Sequence, residues 1–381
     1  MAKKVLIFSD WYPPAYKAGG PIRSSENLVF FLGSSYEIYV LTGSTDLNEN
    51  KVLENIEVDK WVQHKSGAKV IYASVQSRTL RNIRSIINDV KPDLIYLNSM
   101  FSLHFTIIPL IIKYFDRTKA GVIVSPRGML KPTALAIKPL KKRSFISLLN
   151  YSGIINKIYF LATDENEAKE VNKTFPRAKV MIAPNFPGKF YLPTYIKKIA
   201  KDLSIIFIGR IHPIKNLDFL LNSIKPLTGD IKLDIVGVIE DPSYWQSCLK
   251  IINNLPKNIK VNYLGERPHN ETVKLLHDHH VLVLPTKGEN FGHAIFESFV
   301  AGRPVLISDQ TPWRNLFEKF AGWDLSLEES KFTKALEKAE NWDQEEYDLF
   351  CNGASKLAES YISKSNLIER YRKIFNDVIF N

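Results

Sequence analysis

Apolar residues fall in short, nearly unbroken runs through the first half of the chain, at 4–10, 37–43, 69–74, 94–99, 121–126 and 157–163. Runs of this length with no polar face predict parallel strands buried between two layers. Between them the spacing lengthens to a helical period, as in TLRNIRSIINDV at 79–90. Residues 183–202 break the rhythm with three prolines, a glycine and several lysines, which reads as an interdomain linker. The alternation then restarts, with strands expected at 203–210, 232–238, 260–266, 281–285 and 304–308. Beyond about 310 the pattern is mainly helical and closes on an amphipathic segment at 366–380. Two successive strand–helix arrays predict an α/β protein of two Rossmann-like, doubly wound domains facing a cleft. The expected domains are 1–190 and 191–362, with a C-terminal helix over about 363–381 packing back on the first.

Length and composition narrow the classes. A chain of 381 residues suits two domains, and 45% hydrophobic with 24% charged residues is an ordinary globular balance. The net charge of +11 favours anionic partners, namely phosphorylated substrates, an acidic membrane face or nucleic acid. No recognisable nucleic-acid-binding module accompanies that charge. Cys248 and Cys351 lie far apart, which predicts a reducing compartment without a disulfide framework. MAKKVLIFSD reads as a first strand rather than a signal peptide, since its apolar run is short and Asp10 ends it. The apolar stretch 104–115 contains Pro109 and Lys113 and is too short to cross a bilayer. The expected location is the cytoplasm, with peripheral attachment to the inner face of the cytoplasmic membrane.

In open parallel sheets, ligands bind beyond the carboxyl ends of the strands. After the strand at 281–285 comes a loop with Gly288, Glu289, Asn290, Phe291 and Gly292, and a helix expected from His293. A helix start suits a phosphate, and the two glycines would admit a ligand close to the backbone. Glu297 lies inside that helix, opposite an apolar face of Ile295, Phe296 and Phe299, on a face shared with His293 and Ala301. A carboxylate there can accept two hydroxyls, as a ribose diol offers. The strand at 203–210 runs through Gly209 into Arg210, and Lys215 follows just before a helix with Asn216 as its cap. Two cations at one strand end can hold a diphosphate through charge-assisted hydrogen bonds. HDHH at 277–280 is a candidate metal cluster, but neighbouring side chains there point different ways, and no Asp-x-Asp motif occurs. The basic cluster KPLKKR at 138–143 reads either as a solvated helix face or as a contact for an anionic membrane.

Taken together, ENFGHAIFE resembles the Glu-x7-Glu motif of retaining family 4 glycosyltransferases, which have the GT-B fold. GRIHPIKN is similar to their diphosphate-binding segment, and YPPAYKAGGPIRSSENL at 12–28 to their glycine-rich first loop. ATDENEAKEV at 162–171 and IAPNF at 182–186 extend the resemblance over nearly the whole chain. SPRGML at 125–130 and SDQTPWRNL at 308–316 look like a bacterial branch that builds capsule, O-antigen (lipopolysaccharide) or exopolysaccharide.

The resemblance implies roles. Glu289, Arg210 and Lys215 would be catalytic: Glu289 faces the donor sugar, while the two cations bind the donor diphosphate. Glu297 would hold the nucleotide ribose; Asn290, Phe291, Gly292 and Gly209 would contact the donor, and Glu266 would lie near the base. Gly19, Gly20 and Arg127 would line the acceptor and phosphate loop. Many relatives carry a histidine where this chain has Arg127, and arginine is a permanent cation without acceptor capacity. His104 is the fallback histidine. The implied reaction moves a hexosyl or N-acetylhexosaminyl group from a nucleotide-sugar to a hydroxyl of a lipid-linked saccharide, with retention and without cofactor or obligatory metal. A sugar-nucleotide epimerase on the same fold and a non-catalytic sugar-nucleotide-binding regulator are the alternatives.

Overall fold

A computed structural model describes residues 2–116, 118–136, 139–188, 196–364 and 366–380. The expected junction at 190/191 and Lys138 of the basic cluster lie outside the described residues. The chain forms two compact units, one of Met1–Phe186 with Asn366–Asn381 and one of Pro187–Ser365.

In chain order the first unit contains β1 (Lys3–Phe8), α1 (Gly20–Leu32), β2 (Tyr36–Gly43), β3 (Trp61–Gln63), β4 (Lys69–Ala73), α2 (Leu80–Val90) and β5 (Leu94–Leu97). A π-helical turn (Leu103–Ile107) leads into α3 (Ile108–Asp116), followed by β6 (Gly121–Val124), α4 (Pro132–Leu135), α5 (Pro139–Ser152), β7 (Tyr159–Ala162), α6 (Glu165–Thr174) and β8 (Lys179–Ile182). The sheet order is β3-β4-β2-β1-β5-β6-β7-β8, parallel except for β3 against β4. The chain winds from β1 outward to β4, then returns to the other side of β1 at β5. That reversal opens a crevice at the carboxyl ends of β1 and β5.

The second unit repeats the plan. It comprises β9 (Asp202–Ile208), α7 (Leu217–Ile224), β10 (Asp230–Val236), α8 (Pro242–Ile252), β11 (Ile259–Gly265), α9 (His269–His277) and β12 (Val281–Leu284). Then come α10 (His293–Val300), β13 (Val305–Ser308), β14 (Gly322–Leu325), α11 (Glu329–Asn341) and α12 (Gln344–Lys364). Its sheet runs β11-β10-β9-β12-β13-β14 with every pairing parallel, so the reversal falls between β9 and β12.

The buried double-sided runs became strands because both of their faces meet helices; β5, β12 and β13 are buried at every position. Three strands were not anticipated. β3 and β8 are short pieces at the two edges of the first sheet, and β14 interrupts the region read as helical. Each is three or four residues long and lacks a full apolar run. β11 exposes Lys260 and Asn262 because it is an edge strand.

The last helix, α13 (Leu367–Phe380), belongs to the first unit. Its apolar stripe of Leu367, Tyr371, Ile374, Phe375 and Val378 is buried. Gly121 of β6 makes the close approach possible, since a Cβ there would collide with the backbone and side chain of Val378. Tyr371 donates its hydroxyl to the Pro184 carbonyl at 3.2 Å, and Arg372 Nε donates to Ser35 Oγ at 2.8 Å.

Candidate active site

In the second unit the strand ends on either side of the reversal are stitched together by backbone. Lys287 N–H donates to the Ile214 carbonyl at 2.7 Å, and Thr286 Oγ1 donates to the same carbonyl at 3.1 Å. Glu289 N–H in turn donates to the Gln310 carbonyl at 3.1 Å, which ties the loop to the segment after β13. These bonds bring Lys215, from the β9–α7 loop, against Glu289, from the β12–α10 loop. Their Nζ and Oε1 form a short ion pair with both side chains mostly buried. A Cβ at Gly209 would meet the Lys215 stem at ordinary van der Waals distance.

Below this loop sits an aromatic cluster. The ring of Phe291 is buried against Phe296, Trp313 and Tyr361, and Trp313 Nε1 donates to the Phe291 carbonyl at 2.5 Å. Phe291 therefore supplies packing, and what it can offer a ligand is its backbone. Gly292 caps α10 with φ 75, and a Cβ there would press on Ile295, so backbone conformation demands glycine at this position. Asn290 is half-buried in the loop just before it. Glu297 lies on α10 with only 11% of its side chain exposed, and its Oε1 is 3.5 Å from His269 Nδ1 at the start of α9. Ala301, placed by periodicity on the polar face with Glu297, is buried because α10 ends there and the chain turns into β13.

Arg210 pairs not with a neighbour in sequence but with Glu240, across the ends of β9 and β10, at 2.5 Å. The carboxyl ends of β9, β10 and β11 are aligned through Gly209 N–H to the Val236 carbonyl and Gly237 N–H to the Gly265 carbonyl, both at 3.0 Å. Glu266 follows directly after Gly265. Asn216 occupies the N-cap of α7, but in the left-handed conformation and without a side-chain capping bond. Its geometry is that of a turn.

In the first unit the crevice between β1 and β5 holds a neutral polar cluster joined to one arginine. Asn98 Nδ2 donates to Ser25 Oγ at 2.6 Å, and Ser25 Oγ lies 3.3 Å from Ser9 Oγ. Arg127 Nε donates to Asn98 Oδ1 at 3.0 Å and Nη2 to the Tyr96 hydroxyl at 2.9 Å. The loop after Arg127 is clamped by the buried Glu167, which accepts from Gly128 N–H at 2.5 Å and from Thr163 N–H at 2.7 Å. Nearby, Asp10 accepts from Ser102 Oγ at 2.6 Å, and burial raises its carboxyl above the usual range. Gly19 caps α1, with Gly20 its first residue. His104 Nδ1 meets the Arg78 carbonyl at 2.7 Å, so its ring is held by backbone.

Two of the three histidines of 277–280 are held structurally: His279 bridges the Leu275 carbonyl and Asp234, while His280 bridges Ser204 N–H and the Lys197 carbonyl. Among the described residues no group of three or more His, Cys, Asp or Glu is arranged to hold a metal, and no helix is long and apolar enough to cross a membrane. Sequence reading missed Glu240 and His269. Neither carries a local signal: Glu240 reaches Arg210 only through the parallel register of β9 and β10, and His269 reaches Glu297 only where α9 packs on α10.

Residues 195–344 match the family model of glycosyl transferases group 1. A protein of the cps region of Klebsiella pneumoniae, of unassigned role, is 27% identical over 287 residues, 68% of this chain and 76% of its own. Anabaena HepE, solved with UDP and glucose, superposes with a TM-score of 0.70 at 14% identity over 99% of both chains. WaaG, a glycosyltransferase of lipopolysaccharide biosynthesis, gives 0.66 at 14% identity over 98% of this chain and 99% of its own. The whole chain thus has the GT-B fold of two Rossmann-like domains, and most of its second unit carries the sequence pattern of glycosyl transferases group 1.

Proposed function

We propose that this protein is a retaining glycosyltransferase that moves a sugar from a nucleoside diphosphate to a saccharide hydroxyl in bacterial surface-polysaccharide synthesis. The observation that carries the reading is the Lys215–Glu289 pair at the reversal of the second sheet, with Arg210 at the same strand end. A diphosphate there would be met by two cations, and a sugar beyond it by a carboxylate. Glu297, supported by His269, suits a ribose diol. UDP is the first nucleotide to test, since HepE was solved with it.

In the proposed reaction the bond from the anomeric carbon to the diphosphate oxygen breaks while the acceptor oxygen bonds to the same face. The acceptor proton passes to the departing phosphate oxygen. Arg210 and Lys215 neutralise the charge growing on that oxygen, so they do the work a divalent ion performs in metal-dependent transferases. Glu289 steadies the cationic sugar of an oxocarbenium-like transition state. The neutral cluster around Arg127 in the first unit is proposed to read the acceptor, the permanent cation favouring an acidic one.

Helix α5 supports a membrane-borne acceptor. Leu140, Leu148 and Tyr151 are 79%, 66% and 91% exposed beside Lys141 and Arg143. Apolar side chains exposed among cations suit an anionic bilayer surface. Lys142 is partly committed elsewhere, donating to the Ala134 carbonyl at 2.6 Å.

The test is a panel of nucleotide-sugars, with and without saccharide acceptors and with a chelator present. Release of free nucleotide dependent on acceptor, with the product anomer matching the donor by NMR, is expected. Conversion of the donor without acceptor and with nucleotide still attached would replace the reading by epimerisation. Binding without any turnover would replace it by a regulator, and loss of activity in chelator restored by added metal would refute the metal-free proposal.

A further inference from the structure

Glu240 belongs to none of the motifs that point to donor binding, yet it holds one of the two cations on which that reading depends. Its carboxylate is not a drifting surface charge. Ile211 N–H donates to the Val238 carbonyl at 2.8 Å, while Glu240 N–H and Asp241 N–H donate to the Ile211 carbonyl at 3.3 and 3.1 Å. Asp241 then caps α8, its Oδ1 accepting from Tyr244 N–H at 3.0 Å and Ser243 Oγ at 2.6 Å. The loop carrying Glu240 is therefore fixed both to the loop carrying Arg210 and to the helix behind it.

We propose that Glu240 is a positioning residue that acts as a latch on Arg210: it occupies the guanidinium when no diphosphate is bound, yields it to the donor, and retakes it as the product nucleoside diphosphate departs. This rests on the reading of Arg210 as a diphosphate ligand. The physics is competition. A diphosphate and a carboxylate seek the same planar donor fork, so the carboxylate weakens binding of the anion and speeds its loss. At 38% and 27% side-chain exposure the pair is partly screened, which limits the effect to the range of accessible ion pairs.

The experiment is calorimetry with UDP, GDP, ADP and dTDP, followed by stopped-flow dissociation of the tightest of them. Glu240→Gln keeps the shape and removes the charge. It is expected to bind about two- to fivefold tighter than the native protein and to release the nucleotide correspondingly more slowly. Glu240→Asp, which keeps the charge, is expected to stay near native affinity. In an Arg210→Ala background the gain from Glu240→Gln should vanish. A purely structural role would instead lower affinity together with the melting temperature. Unchanged or weaker binding by Glu240→Gln, with Arg210→Ala weakened, overturns the latch alone. If none of the four probes binds, or Arg210→Ala binds as well as native protein, the donor-site reading fails with it.

Discussion

The two units share a winding order and a reversal in strand order, yet they place opposite chemistry at the carboxyl ends of their central strands. In the second unit, β9 and β12 end in ion pairs, Arg210 with Glu240 and Lys215 with Glu289. In the first, Ser9 after β1 and Asn98 after β5 join Ser25 of α1 in a network of hydroxyls and an amide, with Arg127 anchored to it. Ion pairs can exchange partners with a highly charged ligand at little net loss, because the incoming phosphate replaces a carboxylate. A hydroxyl–amide network instead keeps a fixed pattern of donors and acceptors, which suits reading the hydroxyls of a saccharide. One topology thus carries an ionic cluster in one unit and a hydrogen-bonding cluster in the other.

The contrast can be broken most sharply at Glu289. Glu289→Gln should lower turnover by about 10²–10³-fold with little change in donor affinity, if the charge acts on the transition state; equal turnover in steady-state assays would remove its role. Next come the cations. Arg210→Ala and Lys215→Ala should each weaken nucleoside diphosphate binding by about 10–100-fold in calorimetry. Comparable losses on mutating the first unit's cluster would erase the distinction between the units. Arg127→Met should raise the acceptor KM by about tenfold while leaving donor affinity near native, the expected cost of one charge-assisted contact; a change in donor affinity instead would move Arg127 to the donor side. The smallest effect belongs to the surface of α5. Lys141→Gln or Arg143→Gln should each reduce binding to phosphatidylserine vesicles by about fivefold or less, with Lys142→Gln weaker still because its ammonium already serves the Ala134 carbonyl. Identical cosedimentation of all three with native protein would dismiss the membrane face.

How much of this was legible in the sequence follows from which signals are local. The strands on either side of each reversal are dense in apolar residues, so they stood out. The Gly288–Gly292 loop and the α10 start were readable for the same reason: a strand, a turn residue and a helical period follow one another within a few positions. Partners supplied by register were not readable. Arg210 and Glu240 lie 30 residues apart and meet only because β9 and β10 pair in parallel with their ends level. Phe291 illustrates a different failure. Its place in the motif marks it as a ligand contact, but whether a ring in such a loop turns inward depends on the hole left by Trp313 and Tyr361, far along the chain. Likewise β14 carries too few apolar positions to be seen until β13 offers it an edge to pair with.

The course of α13 makes the second unit, topologically, an insertion within the first. The chain leaves the first unit at Phe186 and re-enters it through α13, and the two crossings touch, since the Phe186 and Tyr371 rings lie 4.5 Å apart. Five apolar side chains of α13 are buried on the first unit. At about 1.5–3 kcal/mol each their burial contributes on the order of 10 kcal/mol, as large as the net stability of a typical domain, about 5–15 kcal/mol. Removing α13 is therefore expected to unfold the first unit and spare the second, which the cut adjoins. Folding of the first unit must wait for α13 to be synthesised, whereas the inserted unit precedes that helix in the chain and can complete itself before it appears.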